Sequence, residues 1–426
     1  MGMNSLIHFT YPVNNFPVFE YIYFLTFVHK WKRIYVFLQS TEIYSRQAHS
    51  AYLPIILVCF CINRYPQTQY LRFKPRRPLH ISDKMATKLI SNQHDFKVVP
   101  ESYILPPGVR PGTTDASVME VIPVIDLQHL ATNRSQVVKQ IIEASQEYGF
   151  FQLINHGVGD DVLRKVLKVA NEFFELPSED KAVMYSEDSK QKSRVYTSID
   201  YDNEKVHFWR DSLRHPCHPL AEHIDSWPQK PPQYREVMGG YAVEARKLCM
   251  LLLDLIGEGL GLEPGYFRDE LTEVQLMAAN YYPACPDPSL TLGLPKHSDI
   301  NLITLLLQGE EVHGLQVLKD GQWLGVEPQP DGFVVNIGHM LKIVSNGKLS
   351  SAEHRVMTNK KVSRTTVTHF IHPAGNCFIE PAKALASKDS GSPPLFKSFA
   401  YKDFLPSYVQ DTHAGVPPLD RHKIQA

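Results

Sequence analysis

Two histidines, a carboxylate and an arginine stand in a fixed order along this chain: His297-Ser298-Asp299, then His354, then Arg364-Thr365-Thr366. Side chains alternate between faces along a β-strand, so residues i and i+2 point the same way. On a strand, His297 and Asp299 would put an imidazole and a carboxylate on one face, suited to two adjacent positions of a metal. The best candidate for a third ligand is His354, in Ser351-Ala352-Glu353-His354-Arg355-Val356. Two histidines and one carboxylate form the facial triad that holds non-haem Fe(II) and leaves positions open for substrate and O2. Arg364 and Thr366 bring a fixed cation and a hydroxyl, again two apart, able to hold the carboxylate of a co-substrate bound at the metal. A lone His-x-Asp is common in surface turns; the ordered set is far more specific. His339, after Gly338, is a rival third ligand, and we prefer His354.

These residues need elements to position them. After Gly261 the chain runs as short apolar segments separated by turns: Val274 to Tyr282, Leu302 to Leu307, Leu315 to Leu318, Trp323 to Val326, Phe333 to Ile337, Ile343 to Ser345, Arg355 to Met357, Thr365 to Ile371 and Cys377 to Ile379. Asp320-Gly321, Asp331-Gly332 and Asn346-Gly347 are turn signals, the first of them the clearest hairpin. Many short strands without intervening helices predict a jelly-roll or double-stranded β-helix. His297 and Asp299 would leave a strand edge, and His354 would lie on a later strand.

The part before the barrel reads as mixed helix and strand. Val121 to Leu127 is a short apolar strand. Val137, Val138, Ile141, Ile142 and Tyr148 recur at helical spacing, with Asn133 or Ser135 as N-cap candidates and Gly149 as the stop. Phe150 to Ile154 is a strand, and Asn155-His156-Gly157 turns the chain. Val162 to Phe174 forms a second amphipathic helix, ended by Pro177. Residues 183–203 are polar and irregular. Tyr234 to Leu260 is the longest helix, its apolar stripe (Val237, Tyr241, Leu248, Leu252, Leu255, Ile256) serving as core. His156 is read as a structural turn residue. His215 and His218, on either side of Pro216-Cys217, are read as plain loop residues, because no acid sits among them.

With these residues in place, the chain resembles the plant 2-oxoglutarate- and Fe(II)-dependent dioxygenases from about Met85 to the C-terminus. Ile122 to Leu127, Gly149 to Gly157, and Asn280-Tyr281-Tyr282-Pro283 carry the likeness. Gly314 to Gly321 and Ile379-Glu380-Pro381-Ala382 point to the branch containing hyoscyamine 6-hydroxylase and deoxymugineic-acid dioxygenase. The resemblance implies an α+β fold, a double-stranded β-helix (jelly-roll) core flanked by helices, with Fe(II) at His297, Asp299 and His354 near one mouth. It implies 2-oxoglutarate chelating the iron while its far carboxylate meets Arg364 and Thr366, with Tyr282 and Asn280 completing the pocket. Ascorbate is the implied reductant. Thr366 stands where many relatives carry Ser, and His339 where many carry Asp after the glycine. Asp299 points away from halogenation, which in related enzymes goes with loss of this carboxylate. The implied reaction is hydroxylation, desaturation or demethylation of a small specialised metabolite, with release of succinate and CO2.

Substrate contacts are read on two segments. Period-two alternation puts Thr368, Phe370 and His372 on the same face as Arg364 and Thr366, with Val367 and His369 facing away. Tyr196, Tyr201 and Phe208 belong to a segment that in a dioxygenase often covers the substrate. The run Leu395 to Tyr408 either folds over the pocket as a helix or caps the barrel.

The 426 residues are 43 % hydrophobic and 21 % charged, with a formal net charge of −1. That is the composition of a soluble globular protein, and no global field invites nucleic acid or an anionic membrane. Six scattered cysteines show no framework spacing and fit a reducing, cytoplasmic setting. Residues 1–84 differ: they are rich in aromatics, with ten Lys/Arg against three acids. Their apolar stretches, Tyr21 to Val28 and Leu53 to Ile62, are shorter than the roughly 20 residues of a spanning helix. We read 1–84 as an extension outside the fold, disordered or an upstream gene-model artefact, with a targeting or membrane-associating segment as alternatives. Residues 85–262 form the helical and strand region, and 263–426 the barrel and C-terminal helix. The expected partners are a small-molecule substrate and O2, on a monomer. A catalytically silent β-barrel binding protein and an ascorbate-dependent oxidase of the same fold are the rival functions.

Overall fold

A computed structural model describes residues 22–27, 34–39, 88–93, 96–112, 122–309, 313–387, 391–414 and 416–424. The chain divides into two compact units, Met1–Arg77 and Pro78–Ala426. In the first, Ile22–Phe27 pairs antiparallel with Ile34–Gln39. The apolar stretch from Leu53 to Ile62, with Cys59 and Cys61, lies outside the described residues.

The second unit opens with β1 (Val124–Asp126), α1 (Arg134–Glu147), β2 (Phe150–Ile154) and α2 (Asp160–Glu175). Next come β3 (Arg194–Thr197), β4 (Asp211–Pro216) and the long α3 (Tyr234–Leu260). The remaining strands are β5 (Val274–Tyr282), β6 (Leu292–His297), β7 (Ile303–Gln308), β8 (Leu315–Lys319), β9 (Gln322–Gly325) and β10 (Phe333–Ile337). Helix α4 (His339–Val344), β11 (His354–Met357), β12 (Arg364–His372) and α5 (Tyr401–Ala414) follow. Eight strands make one sheet in the order β1-β2-β10-β7-β12-β5-β4-β3, and four make a second in the order β9-β8-β11-β6. All neighbours are antiparallel except β1 and β2. The first sheet joins strands from both sides of residue 263, since β2 pairs with β10 and β4 with β5. This is the double-stranded β-helix with flanking helices.

Alternation along β12 sorts the two faces of the large sheet. Val367, His369 and Ile371 are fully buried on the outer face. There α3 packs, with Tyr241, Leu252, Leu255 and Ile256 at zero exposure. Burying each such side chain contributes about 1.5–3 kcal/mol, so this face carries much of the hydrophobic stabilisation. Gly261, at φ +73°, ends α3 in the left-handed conformation that costs glycine least. The inner face of β12 holds Arg364, Thr366, Thr368, Phe370 and His372, as period two requires.

Some segments differ from the sequence reading. Ile343 to Ser345 is not a strand: it ends α4, and Asn346-Gly347, at φ +53° and +76°, terminates that helix and makes no hairpin. A short apolar run cannot by itself separate strand from buried helix. Residues 183–203 contain β3, and His215 lies in β4. Both strands carry polar residues on the face that lines a cavity, which hid them. Asp320-Gly321, at φ +50° and +77°, does close the β8–β9 hairpin. The four described cysteines, Cys217, Cys249, Cys285 and Cys377, are free and buried.

His215 and His369 sit inside the outer core. His215 Nε2 meets the Tyr234 hydroxyl at 2.9 Å, and Gln275 Nε2 donates to His369 Nδ1 at 3.0 Å. Burial, reinforced for His215 by His369, pushes both imidazoles down to about 3. Unfolded, each takes up a proton near pH 6.5. The unfolded state therefore binds more protons between those limits, and stability falls as pH drops through that window. The loss is about 1.4 kcal/mol per histidine per pH unit. The melting temperature is accordingly expected to be lower at about pH 5.5 than at about pH 7.5; a flat profile over that range would contradict this account.

Candidate active site

Strands β6 and β11 pair antiparallel with His297 directly opposite His354. The two rings lie 4.2 Å apart. Asp299 joins them in a way the sequence did not foretell. Strand β6 ends at His297, so strand alternation does not place the carboxylate. Contacts across the barrel hold it instead. His339 N donates to the Asp299 carbonyl at 2.8 Å. Thr304 Oγ1 and Asn336 Nδ2 both donate to Asp299 Oδ2, at 2.7 and 2.9 Å. The His339 contact needs Gly338, where an added Cβ would lie 2.0 Å from the Asn301 carbonyl oxygen.

The donor set is oriented for a cation. With Oδ2 engaged, Asp299 Oδ1 is left facing His297 Nε2 and His354 Nε2, each at 3.8 Å. His297 Nδ1 lies 2.8 Å from the Pro295 carbonyl and His354 Nδ1 3.3 Å from that of Ala352. A carbonyl can only accept, so the Nδ1 atoms carry the protons and the Nε2 lone pairs are free. One ligand atom from each residue falls within 4.8 Å of the others. Burial, then the charge on His354, pushes His297 down to about 4. For Asp299, burial works upwards, but His354, His297, Thr304 and Asn336 outweigh it and hold the carboxyl below its usual range. Neutral imidazoles and an ionised carboxylate are what Fe(II) requires.

His339, the rival ligand, is buried but stands outside this cluster among the described residues. Its ring packs against Phe404 and Tyr408. Burial keeps it neutral, down to about 3. His156 is a turn residue bonded to the Asp331 carbonyl at 2.8 Å.

The residues expected to hold the co-substrate lie side by side. Arg364 is opposite Tyr282 and Thr366 opposite Asn280 in the β12–β5 register. Arg364 is 4 % exposed; its guanidinium sits 5.4 Å from the centre of the Tyr282 ring, and Nη2 donates to Gln308 Oε1 at 2.8 Å. Its Nε has no partner, so the fork is only partly satisfied by the protein. Asn280 donates to Thr366 Oγ1 at 3.5 Å and accepts from Ser212 at 2.9 Å, which leaves the Thr366 hydroxyl proton available.

A cavity of about 910 Å³ contains both groups. Tyr196, Phe208, Thr368, Phe370 and His372 all line it. The His372 Nδ1 pairs with the Tyr401 hydroxyl at 2.7 Å, so helix α5 reaches the pocket, where Tyr408 also lines the wall and donates to the Ser298 carbonyl at 3.0 Å. Tyr201 does not line it: it stacks on His207 at 3.7 Å. Sequence reasoning missed Thr304, Asn336 and Gln308, each a polar residue within or at the end of an apolar strand. It also passed over Arg210 and Arg214, which line the cavity with Ser212, Arg210 from just before β4 and the other two from its cavity face.

A jelly-roll carrying two imidazoles and a carboxylate, with a buried arginine beside them, defines a non-haem iron oxygenase site. The comparisons place it more closely. Residues 273–373 match the 2OG-Fe(II) oxygenase superfamily, and residues 122–234 match the N-terminal region of the non-haem dioxygenases of morphine synthesis. The chain is 42 % identical to protein Downy Mildew Resistance 6 of Arabidopsis thaliana over 326 residues, covering 76 % of this chain and 95 % of that one. It is 43 % identical to hyoscyamine 6-dioxygenase of Hyoscyamus niger over 337 residues, covering 76 % and 96 %. The crystal structure of JOX2 in complex with 2OG, Fe and JA superposes with a TM-score of 0.66 at 30 % identity, covering 78 % of this chain and 94 % of that one. The chain belongs to the 2-oxoglutarate- and Fe(II)-dependent dioxygenases. It is an oxidoreductase that uses Fe(II) and 2-oxoglutarate.

Because Thr304 holds Oδ2 and so aims Oδ1, Thr304→Val is expected to weaken metal affinity by about 10–100-fold. The secondary structure should stay unchanged. Titration with Fe(II) or Co(II), read by absorbance and circular dichroism, checks both.

Proposed function

We propose that this enzyme oxidises a small specialised metabolite, by hydroxylation, desaturation or demethylation, with His297, Asp299 and His354 as the iron ligands. The observation that carries the reading is the division of labour at Asp299, one oxygen tied to the protein and the other shared between two free imidazole nitrogens. Bound there, Fe(II) supplies the activation of O2 that accompanies oxidative decarboxylation of 2-oxoglutarate to succinate and CO2.

The chain's own residues do the rest. Arg364 offers a planar fork to the far carboxylate of 2-oxoglutarate, and Thr366 adds a hydroxyl donor. Tyr282 and Asn280 fix those two side chains from the neighbouring strand. Thr368, Phe370, His372, Tyr196 and Phe208 form the substrate wall. Holding substrate and co-substrate in one dry cavity converts an encounter into a positioned reaction. In hydroxylation one atom of O2 enters the substrate and the other enters succinate.

The enzyme works as a cytoplasmic monomer with ascorbate as reductant. Among the described residues no helix is long and apolar enough to cross a membrane. Residues 1–84 are an extension that the catalytic unit does not need. In support, Leu89 and Ile90 are fully buried, and Ile90 N and Ser91 N donate to the Asp211 carboxylate at 3.1 and 2.7 Å, so the fold is anchored from Leu89 onwards.

Two measurements test this reading. Arg364→Ala is expected to raise the KM for 2-oxoglutarate by about 100-fold, roughly the 1.5–3 kcal/mol of a charged hydrogen bond, with succinate as the readout. An unchanged KM would favour an oxidase that does not use 2-oxoglutarate. Expression from Met85 should retain the melting temperature and succinate formation of the full chain; loss of either would assign a role to 1–84.

A further inference from the structure

Two arginines in the cavity are left over once iron and co-substrate are accounted for. Arg210 and Arg214 both line it, flanking Ser212 on β4. Arg214 makes no hydrogen bond or ion pair among the described residues, and its Nε is buried without a partner. Arg210, 8 % exposed, donates one nitrogen to the Ser198 carbonyl at 2.9 Å, and its Nε is likewise unpartnered. Neither meets a carboxylate. Of the two acids on the wall, Asp299 is committed to the metal, and Glu204 is engaged with His207 at 2.9 Å and Asp200 N at 3.2 Å. A third arginine, Arg194, lies 4.0 Å from the centre of the Tyr196 ring and donates to the Ser186 carbonyl at 2.9 Å; its Nε is also unpartnered, but it does not line the cavity.

An unpaired guanidinium in a cavity wall is costly, and it is kept where a ligand completes it. Register separates Arg214 from the co-substrate arginine, whereas Arg210, just before the Asp211–Tyr281 pair, lies near the Arg364 row. Arg214 stands beside Ala278 and Thr368, whereas Arg364 stands beside Tyr282, four residues along the same strands. That is about 13 Å at 3.3 Å per residue. The small Ala278 side chain leaves space over the sheet for the Arg214 side chain. The charges are felt locally: burial works upwards on the Tyr196 hydroxyl, but Arg210, Arg214 and Arg194, with a Ser212 hydrogen bond, outweigh it, while burial and then Arg214 disfavour protonation of His372. Apolar wall from Phe208, Leu276 and Phe370 adjoins the cations.

Resting on the oxygenase reading above, we infer that the substrate is itself a carboxylic acid with an apolar, ring-sized body, its carboxylate held between Arg210 and Arg214. The acid end then fixes the substrate at β4, and the apolar body extends along Phe370. A neutral analogue would leave both guanidinium groups without an anion, and a site built on polar groups rejects such analogues strongly.

The test is calorimetric binding to the holoenzyme with Fe(II) and 2-oxoglutarate, kept anaerobic. The probes are small monocarboxylic acids, among them benzoic, phenylacetic and cinnamic acids, each paired with its primary amide. At least one acid is expected to bind tenfold or more tightly than its amide. That preference should vanish in Arg214→Gln and persist in Arg214→Lys. Equal binding of acids and amides, or a preference that survives Arg214→Gln, would overturn the inference. Should Arg214→Gln not fold, Arg210→Gln carries the same comparison. Succinate formed aerobically without any acid tests the oxygenase reading alone. Acids bound without succinate would support the acid site while removing the assigned chemistry.

Discussion

The structure depends on one sheet having two incompatible faces. The outer face of β12, β7 and β5 is closed by α3 and its apolar neighbours, at exposures near zero. The inner face carries imidazoles, guanidinium groups, amides and hydroxyls that are buried or half-buried. Some polar atoms there are buried without partners: Arg210 Nε, Arg214 Nε, Arg364 Nε, Gln308 Nε2 and Asn336 Oδ1. Each costs about 1–3 kcal/mol if nothing completes it. A fold can hold such a face only if the other one stabilises it strongly. The long helix and the cavity are thus two sides of a single requirement.

The same reasoning explains why the metal site is built from both sheets. His297 and His354 come from the four-stranded sheet, where cross-strand pairing sets their spacing. The donors that hold Asp299 come from the eight-stranded one, Thr304 on β7 and Asn336 on β10. The carboxylate therefore reports whether the two sheets are in register with each other. Aligning an anion with two neutral imidazoles is favourable only when a cation joins them, so metal binding and sheet closure stabilise one another.

Much of this was legible in the sequence wherever period two holds. Arg364, Thr366, Thr368, Phe370 and His372 alternate with Val367, His369 and Ile371, and the structure sorts them as that alternation implies. Val274 to Tyr282, Phe333 to Ile337 and Tyr234 to Leu260 have the bounds their patterns suggest. Legibility fails where a strand's inner face is polar. On β4, Ser212 and Arg214 face the cavity, as does Arg210 just before it, while Leu213 and His215 face the core. A pattern search for apolar runs passes over such a strand. It fails also at Asp299, whose position is set by partners 5 and 37 residues away, and at Ile343 to Ser345, where Ile343 and Val344 end a helix that Ser345 caps. In each case the deciding contact is long-range.

Strand β12 serves as a ruler for the chemistry. Its inward residues are spaced by about 6.6 Å, twice the rise per residue. Arg364 and Thr366 occupy the co-substrate end, Thr368 the middle, and Phe370 and His372 the far end, where Tyr401 of α5 closes over His372. Neighbouring strands repeat the rows: Tyr282 beside Arg364, Asn280 with Ser212 beside Thr366, and Ala278 with Arg214 beside Thr368. Changes at the far rows can retune what is bound without moving the near ones, because strand pairing fixes row against row and the outer core fixes the sheet. That separability lets one iron centre serve different substrates, and here it turns Arg214, two rows from the co-substrate arginine, into a feature of substrate choice.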